Sequence, residues 1–212
     1  MAEETIPYPV ELDIDYPDRK LNRWTTFFRI ILVIPVFILL VSISGSHEGF
    51  RGHHLESVWG AGGILVIPIL LMILFRGKYP RWWFDWNVAL MSFSLRVIVY
   101  LAFLRDEYPS TDEEQAVHLK VAYPDAKVDL MRGMPLVKWF LAIPHYVVLA
   151  CLIVAVVVLS IFAWFAILFA GRYPRWVFDF VVGVLRWETR VAAYAFLLTT
   201  DRYPPFRLIE QK

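Results

Sequence analysis

Two acidic and two basic side chains stand inside otherwise apolar segments, at matching places in the two halves of the chain. Asp85 precedes Arg96 by eleven residues, and Asp179 precedes Arg190 by the same interval. That interval spans about 16 Å of helix, so neither pair can close within its own helix. Antiparallel packing of the two helices would bring Asp85 to Arg190 and Asp179 to Arg96, which predicts two inter-helix ion pairs. The alternative is that the arginines bind phosphates or water.

A single histidine, His145, lies within a long apolar segment, in the phrase "AIPHYVVL". An ionisable group in such a segment is costly, and it can mark a proton path or a haem ligand. The competing explanation is local. His145 follows Pro144 near a helix start, where freed backbone carbonyls and interfacial water are natural partners, and the first half has Val36 at the equivalent place.

Residue types that anchor proteins at a membrane surface recur in the phrase Tyr-Pro-Arg-Trp, which the chain contains twice. Tryptophan is enriched at headgroup depth and arginine reaches lipid phosphate. Arg29 and Lys138 occupy equivalent places before an Ile-Pro pair, and we expect both to extend to the headgroups rather than to line a pore. The predicted anchors within the repeated phrase are Arg81, Trp82, Arg175 and Trp176.

Motifs typical of enzymes are missing from the sequence. It contains no Walker loop, nucleophile elbow, HExxH, CxxCH or dinucleotide fingerprint. The only cysteine, Cys151, lies in an apolar run, which excludes a disulfide framework and a cysteine-based metal site. We therefore expect no catalytic residues, no metal, no cofactor and no nucleic-acid partner.

The composition is that of a membrane protein. Hydrophobic residues make up 58% of the chain and charged residues only 19%, against about 25% charged residues in a soluble domain. Several segments approach the length that crosses a hydrocarbon core of roughly 30 Å, among them "FFRIILVIPVFILLVSIS". The acidic start "MAEE" has no basic n-region, so we expect no cleaved signal peptide.

The chain repeats itself with a period of about 100 residues. "VELDIDYPDRK" matches "VHLKVAYPDAK", "FRGKYPRWWFDW" matches "FAGRYPRWVFDF", and each half ends in an Asp-x-Tyr-Pro phrase. We therefore expect two tandem units, residues 1–109 and 110–212. The strands, with acidic residues in one and His and Lys in the other, are predicted to pair with opposite charges facing.

The predicted fold class is mainly α, a membrane protein with a tandem repeat of strand, transmembrane hairpin and amphipathic interfacial helix, and a small cytoplasmic β region. In the second unit, a single long tilted helix is the alternative to the hairpin, and both interfacial helices could instead cross the membrane. The predicted bounds are strands 10–16 and 117–123, membrane helices about 24–43 and 57–75, a hairpin about 135–170, and interfacial helices about 84–105 and 178–199.

The placement of positive charge predicts an orientation. Of the 21 Lys and Arg residues, the hairpin arrangement leaves only Arg51 in a loop on the far side. The positive-inside tendency then puts both termini, both strands and both Tyr-Pro-Arg-Trp turns in the cytoplasm. We expect a multi-pass protein of a bacterial cytoplasmic (inner) membrane.

The phrases "YPVELDIDYPDR", "FLAIPHYVV" and "AWFAILFAGRYPRWVFDFVVGVLRWETRVAAYAFLLTTDRYPPF" resemble a bacterial membrane family catalogued as domain of unknown function 4389. The resemblance covers nearly the whole chain, as two tandem copies, and is strongest in the second half. The first half departs from it in its Gly- and His-rich loop and in "WWFDWN". The resemblance implies an integral membrane protein and supplies no activity or catalytic residue.

The expected function is that of a non-enzymatic membrane scaffold or an accessory subunit of a larger assembly. Its expected partners are anionic lipid headgroups, and other membrane proteins or copies of itself through its strands and helix faces. One alternative is a small transporter or channel with a path between the repeats, since internal repeats are common in such folds. Another is an electron-transfer subunit that carries a cofactor on His145.

Overall fold

The computed structural model describes residues 8–18, 21–43, 63–111, 113 and 115–209. The chain is mostly helical, with one small sheet. Short π-helical turns extend α3 over Met72–Arg76 and α7 over Ala193–Leu197. In chain order the elements are β1 (Val10–Ile14), α1 (Arg23–Leu32), α2 (Ile34–Ile43), α3 (Gly63–Leu71), α4 (Arg81–Leu101), β2 (Val117–Val121), α5 (Met134–Leu141), α6 (Ile143–Ala170) and α7 (Arg175–Ala192).

The sheet pairs β1 with β2 in antiparallel fashion, and its register places acidic residues of β1 opposite Lys and His of β2, as predicted. Glu11 lies opposite Lys120, and Asp13 lies opposite His118. Side chains along β1 alternate between buried and exposed, as expected for a strand with one wet face. Each strand has five residues, two fewer than predicted, because the Tyr-Pro pair that follows cannot continue the ladder.

The predicted membrane hairpin over residues 135–170 is wrong. The short helix α5 ends at Leu141, and after a break at Ala142 the chain forms α6, an uninterrupted helix of 28 residues. At 1.5 Å per residue, α6 is about 42 Å long. Between His145 and Ala170 the sequence contains no Gly or Pro that would turn the chain. The alternative of one long helix therefore describes this region better.

The predicted membrane helix over about 24–43 is divided into α1 and α2, which meet at Val33. The axes of residues 23–29 and 34–40 differ in direction by 52°. Pro35 lies in the first turn of α2, where its missing N–H removes a backbone bond across the junction. The predicted helix over about 57–75 starts outside the described residues, and its described part is α3 with the π-helical turn.

Helices α4 and α7 each begin three residues before the predicted starts at 84 and 178. Each follows a proline in extended conformation, Pro80 or Pro174, and has arginine as its first residue. A proline immediately before a helix fits because it needs no backbone donor there. Phe103 follows α4, and Leu198 follows the π-helical turn after α7. Their φ angles are positive, 63° and 55°, and a residue in that region does not continue a helix. α4 therefore ends at Leu101, before its predicted end at 105.

The largest core cluster lies between the sheet and the helices α4, α6 and α7. It joins strand residues such as Leu12 to α7 residues such as Val181. The two remaining membrane-type helices of the first half, α2 and α3, pack against different ends of α4. α2 shares a core cluster with residues 90–100, and α3 shares one with Phe84. Within the described residues, α2 and α3 therefore contact different parts of α4.

Two of the described helices are long and apolar enough to cross a membrane. They are α6, with a mean hydropathy of 3.0, and α4, with a mean hydropathy of 1.2. α1 and α2 provide a third such segment if the bent pair counts as one span. Large apolar side chains are exposed along α6, from Val147 to Phe169, which is compatible with a membrane protein. The interfacial placement of α4 stays a prediction, because its length and hydropathy also suit a span.

Candidate membrane-interface site

Two sharp corners in the chain carry the Tyr-Pro-Arg-Trp phrases. Each corner begins at a glycine in the left-handed region, Gly77 with φ 56° and Gly171 with φ 70°, where a Cβ would be strained. Two residues after each glycine is a buried tyrosine, Tyr79 or Tyr173. Its backbone carbonyl accepts a hydrogen bond from the hydroxyl of the tyrosine that follows a β-strand, Tyr123 or Tyr16. Each corner is therefore tied to the sheet. The donor–acceptor pairs are Tyr123 to Tyr79 (2.5 Å) at the first corner and Tyr16 to Tyr173 (2.6 Å) at the second.

All four predicted anchors of the corners lie exposed. Trp82 is 69% exposed and Trp176 is 60% exposed, and Arg81 and Arg175 are exposed as well. Each guanidinium sits over the ring of the tyrosine that ties its corner to the sheet, at 5.5 Å for Arg81 and 4.3 Å for Arg175. This cation–π contact holds the cation while its N–H groups stay available for another partner. Contact with lipid stays a prediction.

Arg29 and Lys138 do not extend to the surface as predicted. Both residues are 0% exposed. Arg29 forms an ion pair with Asp106, and the Nζ atom of Lys138 lies 2.7 Å from Oδ1 of Asp201. A cation removed from water requires an opposite charge and hydrogen bonds, and these carboxylates supply them. We call Arg29 with Asp106 the first clamp, and Lys138 with Asp201 the second clamp.

The clamp aspartates also bind the chain just before the first helix of each half. Oδ2 of Asp106 accepts a hydrogen bond from the backbone N–H of Asn22 at 2.7 Å, and Oδ2 of Asp201 accepts one from the N–H of Met131 at 2.6 Å. Each clamp therefore joins the end of a half to its beginning. Sequence reasoning missed both aspartates, although the repeated Asp-x-Tyr-Pro phrase was the signal that pointed to them.

The second clamp lies in a segment that other proteins share. Residues 134–207 match the family model described as Domain of unknown function (DUF4389). The matched segment runs from the start of α5 through α7 to the chain beyond the second clamp. The match is to one copy, so a second copy in residues 1–109 stays a prediction. No curated protein and no solved structure matches the chain.

Within the matched segment, His145 is fully buried in an aromatic cluster. Nε1 of Trp187 donates a hydrogen bond to Nδ1 of His145 at 3.1 Å. The imidazole stacks on Phe206 with ring centres 4.0 Å apart, and Tyr203 lies at 4.8 Å. These contacts fasten the C-terminal segment to α6 and α7. Because Nδ1 accepts a bond, the proton belongs on Nε2, which has no partner in the described part of the chain. A proton-path or ligand role of His145 stays a prediction.

The predicted ion pairs between α4 and α7 are not formed in the described part of the chain. Arg96 and Arg190 instead donate to backbone carbonyls of the segments that follow their own helices, at 2.7 and 2.8 Å. Asp85 and Asp179 are exposed, and neither forms an ion pair with a described residue. Each arginine is thus held by the segment that follows its own helix, which the spacing on the helices alone did not indicate.

A further acidic residue that sequence reasoning missed is Glu188 on α7. Burial raises the pKa of Glu188 to about 8. Arg186, two residues earlier, donates to the carbonyl of Leu12 in β1 at 2.7 Å, and two helical residues point roughly opposite ways. Glu188 therefore lies on the side of α7 away from the sheet. The equivalent residue of α4 is Ser94, whose hydroxyl donates to the carbonyl of Leu90.

No group of three or more His, Cys, Asp and Glu side chains within ranges 8–18, 21–43, 63–111, 113 and 115–209 could hold a metal ion. Cys151 is exposed on α6. The histidines of the polar loop before α3 lie outside the described residues.

Proposed function

We propose that the chain is a non-enzymatic integral membrane protein that serves as a scaffold or accessory subunit and contacts anionic lipid through its two corners. The observation that carries this proposal is the paired exposure of Arg81, Trp82, Arg175 and Trp176 beside helices with exposed apolar faces. Arginine suits lipid phosphate and tryptophan suits headgroup depth. The corner geometry holds both residue types in the same arrangement twice.

We also propose that residues 1–109 and 110–212 are tandem copies of one structural unit. Three kinds of contact occur twice at equivalent sequence positions and support this proposal. They are the tyrosine bonds of the corners, the arginines over tyrosine rings, and the two clamps. The tyrosine bonds and the sheet join one copy to the other, whereas each clamp stays within one copy.

The proposed location is a bacterial cytoplasmic membrane, with both termini and both corners on the cytoplasmic side; because α6 replaces the predicted hairpin, this orientation holds only if α6 does not carry the chain across the membrane. The concentration of Lys and Arg around the strands and corners supports this orientation. The tyrosine bonds between corners and strand ends support a shared depth for those parts.

The proposed partners are other membrane proteins or copies of the chain. Within the described residues β1 and β2 pair only with each other, so each keeps an outer edge. An unpaired edge presents a row of backbone donors and acceptors to which an incoming strand can add.

The lipid part of the proposal is tested with a photoactivatable phosphatidylglycerol in vesicles that contain the full-length chain. We expect crosslinks at both corners, and at least a fivefold loss at each corner in the variant carrying Arg81→Gln, Trp82→Ala, Arg175→Gln and Trp176→Ala. A matched control, Lys78→Gln with Arg172→Gln, removes positive charge beside each corner and should retain most crosslinking. If the four substitutions leave the crosslinking unchanged, the proposal is contradicted.

The scaffold part is tested by purification from native membranes in mild detergent and identification of stoichiometric companions. A defined complex supports the proposal. A lone monomer that conducts ions in liposomes contradicts it and favours the transporter alternative.

A further inference from the structure

A cavity of about 680 Å³ opens beside the second corner, and most of its lining residues are charged. Its volume lies within the range of about 300–1,000 Å³ that is typical of small-molecule sites. The walls come from the end of β1, the turn after it, the segment after α4 and the first residue of α7. They are Asp15, Tyr16, Asp18, Arg105, Glu107 and Arg175.

Part of this charge is already used inside the protein. Arg105 donates to a Glu107 carboxylate oxygen at 2.5 Å and to the carbonyl of Asp15 at 3.3 Å. The other carboxylate oxygen of Glu107 lies 3.4 Å from the backbone N–H of Ala116. The carboxylate of Asp15 lies 3.3 Å from His118 on the neighbouring strand. These groups shape the cavity, and little of their bonding capacity is left over for a ligand.

Asp18 and Arg175 differ from the other charged walls. Both are exposed, and neither forms an ion pair with any residue that the structure describes. Arg175 is held over the Tyr16 ring at 4.3 Å, a contact that leaves its N–H donors unused. Among the described residues, the cavity therefore offers one fixed cation and one anion that no other described residue pairs.

We propose that this cavity binds the headgroup of phosphatidylethanolamine, with the phosphate on Arg175 and the ammonium on Asp18. A guanidinium binds phosphate through two parallel N–H donors, and a primary ammonium has three donors for carboxylate oxygens. Among the described lining residues three are acidic and two are basic, so both charges of a zwitterionic headgroup can find a partner there. Trp176, 60% exposed next to Arg175, suits headgroup depth.

The other corner does not offer the same pair of charges. A cavity of about 740 Å³ lies near it, but its lining includes neither Arg81 nor Asp125, the equivalents of Arg175 and Asp18. The Asp125 carboxylate instead accepts a hydrogen bond from the backbone N–H of Lys127 at 2.9 Å, within its own turn. The inference therefore concerns the second corner alone.

The inference rests on the membrane location in the proposed function, and native mass spectrometry of the full-length chain in detergent tests it separately. The protein is titrated with dioleoyl phosphatidylethanolamine, phosphatidylcholine or phosphatidylglycerol. We expect the ethanolamine lipid to bind at least tenfold more tightly than either other lipid. Asp18→Asn and Arg175→Gln should each weaken that binding about tenfold, whereas Asp125→Asn and Arg172→Gln should not. Circular dichroism of each variant verifies that it is folded.

The remaining outcomes separate the possible failures. Equal binding of the three lipids, or a preference that survives Asp18→Asn, overturns the headgroup assignment and leaves the proposed function standing. Soluble glycerophosphoethanolamine at millimolar concentration should not displace the lipid. Efficient displacement by it would mean that a free phosphoester is the ligand, and would overturn the lipid assignment. Recovery of the native protein outside the membrane fraction would remove the proposed function itself.

Discussion

The two clamps occupy equivalent positions but use different cations. In the first clamp, Arg29 binds its aspartate, donates to the carbonyl of Tyr100 at 3.2 Å, and lies 4.5 Å from the centre of the same tyrosine ring. In the second, Lys138 binds its aspartate, donates to the carbonyl of Thr200 at 2.7 Å, and lies 5.2 Å from the Tyr194 ring. Both are buried. The fold therefore requires a buried cation at this position, and each half has adapted its surroundings to one.

The difference between the clamps lies in how completely each cation is satisfied. The planar guanidinium of Arg29 has five donors in a fixed fork, and its Nε is buried without a hydrogen-bond partner among the residues that the structure describes. The Lys138 ammonium is a compact charge that needs fewer acceptors. The second clamp leaves an acceptor unsatisfied instead, because Oδ1 of Asp201 lies 2.7 Å from Nζ of Lys138 but forms no well-aligned hydrogen bond with a described residue. This clamp lies in the segment that matches the family model.

The largest expected effect comes from removing either clamp aspartate. Asp106→Ala and Asp201→Ala should each lower the free energy of unfolding by about 3–5 kcal/mol, because each leaves a buried cation without its counter-charge. Chemical unfolding in detergent measures this loss. Asp85→Ala, at an exposed aspartate, is the control and should change stability by less than about 0.5 kcal/mol. A large loss in only one half would break the equivalence of the clamps.

The halves also differ at one equivalent helix position, which is Glu188 in α7 and Ser94 in α4. Because the folded pKa of Glu188 is about 8 and lies above its unfolded value, the folded state binds the proton more tightly. Stability is therefore highest below about pH 4.5 and falls by about 1.4 kcal/mol per pH unit from there to about pH 8. Glu188→Gln should remove this fall, whereas Ser94→Ala should leave it in place. Unfolding at pH 5, 7 and 9 distinguishes these results, and a flat wild-type profile would refute the burial of the charge.

Exchanging the clamp cations sharpens the comparison further. Lys138→Arg adds volume and hydrogen-bond donors to a fully buried site. It should lower the free energy of unfolding by about 1–3 kcal/mol. Arg29→Lys removes the fork and leaves one ammonium to reach both the carboxylate and the carbonyl, which should cost about 1–2 kcal/mol. The same unfolding measurement applies. If both exchanges are neutral, the two surroundings are interchangeable and the contrast drawn above is mistaken.

The smallest expected effect concerns Gly183 and its first-half equivalent, Ala89. A Cβ at Gly183 would lie 3.0 Å from the Cβ of Leu208 and 3.1 Å from its carbonyl oxygen. Gly183→Ala should therefore displace the C-terminal segment, for a net cost of about 1 kcal/mol after the gain in helix propensity. Limited proteolysis near Arg207 should accelerate. Ala89→Gly should cost a similar amount through propensity alone, without any effect on that cleavage.

Much of the fold follows from local patterns in the sequence. The alternation of acidic and apolar residues predicted β1, and the opposite charges of the second strand predicted that it pairs with β1. The hairpin over residues 135–170 failed for a physical reason. It was inferred from the first half, but only the first half carries the polar, glycine-rich insertion, and without such a turn an apolar run continues as one helix.

The candidate site was predictable at the corners and not in the clamps. Proline, arginine and tryptophan act locally at a corner, so their types reveal their position. The clamp partners are separated by 77 and 63 residues along the chain, and an isolated cation in an apolar helix suits both a surface anchor and a buried pair. Only three-dimensional packing distinguishes these two environments, because it brings the Asp-x-Tyr-Pro segments back to the first helices.

The pairing of β1 with β2 has a consequence for how the chain is made. Val10 pairs with Val121, so β1 has no partner until more than a hundred further residues have been synthesised. At about 5–20 residues per second, this delay lasts roughly 5–20 s. During that time the nascent chain carries an unpaired strand while its apolar helices emerge. High contact order of this kind slows folding and prolongs exposure to aggregation, so assembly of this protein depends on what shields its first strand during translation.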